Sequence, residues 1–295
     1  MYCVFPVIHT MKKTSVVLIS IFSNTGLIIL KITAGVLMGS VAVISEAIHS
    51  GIDLLAAIVA YIAVRKADEP ADIDHPFGHG KFENISGFFE ALLIFAAAGL
   101  IIYEAVKKFF HPFEVENLDW GIGVMAVSAV VNIFVSRILF ASARKHGSIA
   151  IEADAMHLWT DVFTSVGVML GLVLIRLTDW HILDPVIAIL VAGLILKASL
   201  DLTAKSLADL ADHQLPDNEL STIRSVVDGY PEVDGYHKLR TRKSGNRREI
   251  DIHIQINKDT TIAASHNLCF RIENAIKTEL PGAYVTIHVE PSKEE

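Results

Sequence analysis

The chain has 295 residues, 52% of them hydrophobic and 20% charged, with mean hydropathy +0.46 and a net charge of −8. A water-soluble chain of this length is usually more polar, so composition points to a membrane protein, and the acidic balance gives no footing for nucleic acid as a partner. Cys3 and Cys269 form no CxxC pair and suggest no disulfide framework.

Residues 1–13 read as an N-terminal tail, in which MYCVFPVIHT has no evident role and Met11 is a second candidate start. Met11-Lys12-Lys13 followed by TSVVLISIFSNTGLIILKITAGVLM imitates a signal peptide, but its apolar part is too long and lacks a clear cleavage site. A spanning helix needs ~20 mostly apolar residues, and six segments of residues 14–211 qualify: 15–38, 41–65, 84–107, 119–143, 148–177 and 183–203. The connections alternate in charge. GS at 39–40, HPFEVENLD at 111–119 and TDWHI at 178–182 fall on one side. Lys12, Lys13, Arg65, Lys66, Lys81, Arg144, Lys145 and Lys205 fall on the other, outnumbering Lys107 and Lys108. The positive-inside rule makes the second side cytoplasmic and puts both termini there.

Residues 212–295 change character to a small cytosolic α+β domain. QLPDNELSTIRSVVDG predicts a helix capped by Asp217 or Asn218 and ended by Gly229. EIDIHIQI at 249–256 alternates strictly, with Ile250, Ile252, Ile254 and Ile256 on one face and His253 on the other. It forms the second arm of a hairpin turning at Ser244-Gly245-Asn246. A helix over 261–280 and a third strand over 283–290 complete the domain.

Within the apolar half one pattern occurs twice. GSVAVISEAIHSGID at 39–53 and GSIAIEADAMHLWTD at 147–161 align without gaps at an offset of 108, so the second and fifth spans each carry H-x-x-x-D. His49 and Asp53, like His157 and Asp161, are four apart and share a helix face. Ionisable groups at membrane depth cost ~2.5–3.5 kcal/mol each on insertion scales, so the default reading is functional. Two imidazoles and two carboxylates from two helices suit a tetrahedral site for zinc, whereas Mn²⁺ prefers more oxygen. Glu46 and Asp154 are expected a turn nearer the cytosol than the two histidines. In the next loop, PADIDHPFGHGKFE at 70–83, His75 and His79 with Asp72 or Asp74 form a second candidate metal set, held compact by Pro76 and Gly78.

The paired H-x-x-x-D spans, PAD-x-x-HPFGHGK-x-E and HKLRTRKSG together resemble a cation diffusion facilitator transporter, from about Met11 to Glu290. The resemblance implies six transmembrane helices in a lipid bilayer, a cytosolic metallochaperone-like (ferredoxin-like) domain, a homodimer, and export of divalent metal against inward proton flow. It implies an intramembrane transport site of His49, Asp53, His157 and Asp161, with His49 and His157 carrying protons. It also implies a loop site of Asp72, His75 and His79, and an interlocking charge pair of Lys81 and Asp212. His237, His253, His266 and His288 match a binuclear zinc site in the tail, where Glu290 stands in place of an aspartate. Zn²⁺ is the expected cargo and tail ligand, with Cd²⁺ or Fe²⁺ as further cargo, and the bacterial inner membrane the expected location.

Two other readings compete. His75-Pro-Phe-Gly-His79 is formally H-x-x-x-H, as in membrane di-iron enzymes, but no HxxHH and no HExxH is present. A metal sensor that does not transport would suit the tail and leave the paired intramembrane set unexplained.

Overall fold

A computed structural model describes residues 11–38, 41–110, 118–178, 180 and 182–292; some side chains within the helices, His49 and Glu46 among them, lie outside the described residues. The chain divides into two compact units, residues 1–207 and 208–295.

The first unit is helical: α1 (Lys13–Met38), α2 (Val41–Ala67), α3 (Lys81–Phe110), α4 (Leu118–His146), α5 (Ile149–Thr178) and α6 (Leu183–Leu210), which runs on into the second unit. All six helices predicted from hydropathy form. Among the described residues, four stretches are long and apolar enough to cross a membrane: Lys13–Ala34, Lys81–Lys107, Ala126–His146 and Pro185–Leu210. The other two helices, α2 and α5, carry the H-x-x-x-D pairs.

Side-chain size explains how this unit packs. Small residues fill many of its contacts: Ala56, Ala57, Ala60 and Ala63 on α2, Ala91 and Ala98 on α3, and Ala150, Ala153 and Ala155 on α5 are all buried, beside larger ones such as Ile94, Leu139, Ile151 and Leu158. Small side chains let helix backbones approach closely where lipid removes the hydrophobic drive to associate. Many other large apolar residues point outward, as with Phe22, Leu37, Leu100 and Leu190. α5 is the central helix and packs on α1, α2, α3 and α4.

The second unit holds α7 (Asp217–Asp228), β1 (Gly235–Ser244), β2 (Arg247–Ile256), α8 (Ile262–Glu279) and β3 (Ala283–Pro291). The strands lie in the order β1-β2-β3, with β1 antiparallel and β3 parallel to β2. The predicted alternation is realised: Ile250, Ile252, Ile254 and Ile256 are buried against Leu220, Ile223 and Val227 of α7 and Leu268, Ile272 and Ile276 of α8. Both helices therefore cover one face, leaving the histidine face open. The order αββαβ lacks the first strand of a complete ferredoxin-like βαββαβ unit among the described residues.

One local expectation fails. Neither Asp217 nor Asn218 caps α7; Pro216 precedes the helix and supplies no side-chain bond. Asp217 and Glu219 lie instead in its first turn, where negative charge meets the positive end of the helix dipole.

Glu219 also joins α7 to β2. Arg248 Nε and Nη2 donate to its two carboxylate oxygens at 2.8 and 2.7 Å, and these bonds hold its carboxyl below the usual glutamate range. A lowered folded pKa means stabilisation present at neutral pH and lost as pH falls through that value. Glu219→Gln is thus expected to cost about 1–2 kcal/mol at pH 7, read as faster amide exchange in β2. The difference from the parent should shrink below the ordinary glutamate range; a pH-independent difference would contradict this account.

Candidate metal centres

Three groups of metal-ligand side chains assemble among the described residues: Asp72, His75 and His79; Asp53, His157 and Asp161; and His237, His253 and Glu290, with ligand atoms in each group within 4.8 Å of one another.

The loop after α2 builds the first. His75 N–H donates to Asp72 Oδ1 at 2.6 Å and Gly78 N–H to the His75 carbonyl at 2.9 Å. Gly78 sits at φ 81°, a left-handed conformation that glycine adopts without strain, and so delivers His79 back toward Asp72. His75 Nδ1 is 3.2 Å from Asp72 Oδ1, His79 Nε2 is 3.3 Å from Oδ2, and the two rings meet at a tilt of 43° with centroids 4.4 Å apart. Asp72, not Asp74, is therefore the carboxylate of this group. The backbone hydrogen bond from His75, followed by its side chain, lowers the Asp72 pKa and keeps it an anion for a metal.

The second group lies deep between α2 and α5. Asp53 and His157 are buried, and Asp53 Oδ1 is 2.8 Å from His157 Nε2. Asp161, one turn along α5, is partly buried. The pairing is crossed: the carboxylate of one repeat meets the imidazole of the other. Oppositely directed helices cross in this way, and α2 and α5 run oppositely in the alternating topology expected from the sequence. Asp154, on the turn of α5 before His157, is buried, and the side chain of Glu46 lies outside the described residues. His49, the remaining predicted ligand, has its side chain outside the described residues.

On the open sheet face, strand register builds the third group. His237 pairs with His253 across β1 and β2, and His253 with His288 across β2 and β3, so one imidazole from each strand stands in a row. A bulge follows His237, with Lys238 at φ 51°. Ring centroids are 5.3 Å apart for His237–His253 and 4.5 Å for His253–His288. Glu290 reaches all three, at 2.8 Å from His253 Nδ1, 3.3 Å from His237 Nε2 and 3.8 Å from His288 Nε2. Its pKa is lowered, first by the bond to His253. The longer carboxylate thus spans the whole row. His266 does not join it within one chain: it is exposed on α8, part of the helical layer that packs on the opposite face of the sheet.

Lys81 and Asp212 belong to different units. Within its own unit Asp212 accepts from Arg242 at 3.1 Å.

Residues 17–211 match the cation efflux transmembrane domain and residues 215–292 the cation efflux protein cytoplasmic domain. The chain belongs to the cation efflux, or cation diffusion facilitator, family. This cation efflux protein is 38% identical over 263 residues to the uncharacterized transporter sll1263 of Synechocystis, covering 89% of this chain and 85% of that one. It is 30% identical over 267 residues to the cation-efflux pump FieF of Salmonella paratyphi A, covering 90% and 89%. The metal-bound C-terminal domain of the CzcD transporter from Thermotoga maritima matches with 27% identity and a TM-score of 0.25, over 26% of this chain and 94% of that one. As a cation efflux protein it is a membrane transporter of divalent metals.

Two buried polar residues outside the three groups escaped the sequence reading. Glu90 on α3 and Ser20 on α1 are buried beside Asp154, Ser20 Oγ donating to Asp154 Oδ1 at 3.0 Å. The signal for Glu90 was present as a lone carboxylate in FFEALLIF; that for Ser20 was not.

Proposed function

We propose that the protein exports Zn²⁺ from the cytosol in exchange for protons, as a homodimer of six-span subunits in the bacterial inner membrane with both termini inside. The observation that carries this reading is the buried Asp53–His157–Asp161 group, whose mixed nitrogen and oxygen donors fit a borderline divalent ion. His49 is the fourth donor in the proposed set. Binding needs neutral imidazoles and ionised carboxylates, so metal entry displaces protons and proton entry releases metal. His49 and His157 are the proton carriers, since imidazole in general titrates near the pH of cells and their surroundings. The tail row, with Glu290 as a shared carboxylate, is a zinc-binding regulator that favours one transport state. Lys81 and Asp212 tie membrane and cytosolic units together across the dimer.

The test is purified protein in proteoliposomes, with a zinc-sensitive dye inside and pH followed on both sides. Zinc uptake accompanied by opposite proton movement is the expected result. Zinc uptake with no proton movement would overturn the antiport, and a stronger response to Fe²⁺ or Cd²⁺ would overturn the zinc preference.

A further inference from the structure

A second line of buried polar atoms runs between the loop triad and the intramembrane triad. On α3, Glu83, Ser86 and Glu90 follow at spacings of three and four, so they share one helix face, and His79 stands four residues before Glu83. None of the four is more than 2% exposed. Among the described residues, His79 Nδ1, Glu83 Oε2, Ser86 Oγ and both carboxylate oxygens of Glu90 make no hydrogen bond, while His79 Nε2 faces Asp72. The line continues on α5. Asp154 is 1% exposed with Oδ2 unbonded, and it is near enough for its charge to act on both Glu90 and His157. His157 Nδ1 is unbonded as well.

A buried polar group without a partner costs about 1–3 kcal/mol, and native proteins rarely keep several together unless water or ions satisfy them. Packing alone does not explain so many on one face. Ala91 and Ile94, immediately beyond Glu90, pack tightly on Ala153 and Ile149 of α5. From Glu83 to Glu90 the helix rises about 10 Å, a length suited to carrying an ion inward from the loop. At its mouth, Lys13 Nζ donates to Glu83 Oε1 at 3.0 Å and lies 3.5 Å from Asp68 Oδ1, although Lys13 is only 7% exposed. This ammonium takes the place that a mobile cation would occupy beside Glu83.

We infer that the buried face His79–Glu83–Ser86–Glu90, continued by Asp154, is a hydrated route along which a divalent cation passes from the cytosolic loop to the intramembrane triad. The Lys13–Glu83 ion pair closes its mouth. The inference rests on the reading that metal crosses through that triad. The route supplies oxygen ligands at intervals of about one helix turn, weaker than the triad and so suited to transit rather than storage.

Two variants test it in the full-length protein in proteoliposomes, with Zn²⁺ as the probe. In a chain with Cys3→Ser and Cys269→Ser, Ser86→Cys is expected to react with a cationic methanethiosulfonate reagent, and Zn²⁺ should slow that reaction. Glu90→Gln should lower initial zinc flux about tenfold while leaving zinc affinity at the triad unchanged. If Ser86→Cys does not react, or reacts at a rate indifferent to Zn²⁺, the route is overturned. It is equally overturned if Glu90→Gln carries zinc like the parent, or alters proton movement alone. Should Glu90→Gln fail to fold, the zinc protection of Ser86→Cys decides the matter. A parent protein that moves no metal defeats the transport reading itself, which is a different outcome from a transporting parent with an indifferent Glu90→Gln.

Discussion

His157→Ala is expected to abolish metal movement and to weaken metal binding at the membrane site by about 100-fold or more. Its imidazole stands 2.8 Å from Asp53 and is grouped with Asp161, so removal takes away a nitrogen donor and leaves two carboxylates facing each other. In the proposed set the metal would then keep one imidazole, His49, beside two carboxylates, a poorer match to zinc. Asp53→Asn should give nearly the same loss, since the crossed pair works as a unit and the amide supplies a neutral oxygen in place of an anion. Zinc uptake into proteoliposomes and calorimetric zinc titration of the detergent-solubilised variants measure the two effects. Undiminished uptake by His157→Ala would remove the site from the transport path.

The second large effect concerns the tail. Glu290→Ala is expected to weaken zinc binding by the cytosolic unit about 10–100-fold, because this one carboxylate lies within 3.8 Å of three imidazoles. Losing it removes the carboxylate of the group and leaves a bound cation with the imidazoles of the row. Glu290→Asp should recover part of the affinity, with the shorter side chain losing its reach to His237 first. Zinc titration of full-length protein carrying His157→Ala and His75→Ala isolates the tail response. Equal affinity in Glu290→Ala would show that the imidazoles bind without it.

Much of this could be read from residue order, and the reasons differ by element. EIDIHIQI announces its strand because a period of two separates Ile from His on opposite faces whatever surrounds it. The six helices are equally legible, since length and apolarity in a bilayer leave few alternatives. H-x-x-x-D fixed which residues share a face of each helix. It did not fix partners between helices, because pairing depends on the relative direction of α2 and α5. His266 shows the limit in another way. Its spacing in the chain is silent on which layer of the domain carries it, and α8 lies on the side of the sheet away from His253. Glu290 looked like a departure in sequence, yet its extra methylene is what lets one group reach from β3 to β1. The α7 cap was misjudged because Pro216 already sets the backbone for helix entry, leaving Asp217 inside the first turn.

The parallel pairing of β2 with β3 has a mechanical consequence. Side chains alternate along a strand, so sliding β3 by a single position would turn His288 and Glu290 inward and bring Ile287 and Val289 to the water. Oily residues on the hidden side thereby act as an alignment key for the polar ones in view. A bound ion that clasps residues of both strands would resist the same slide from the other side.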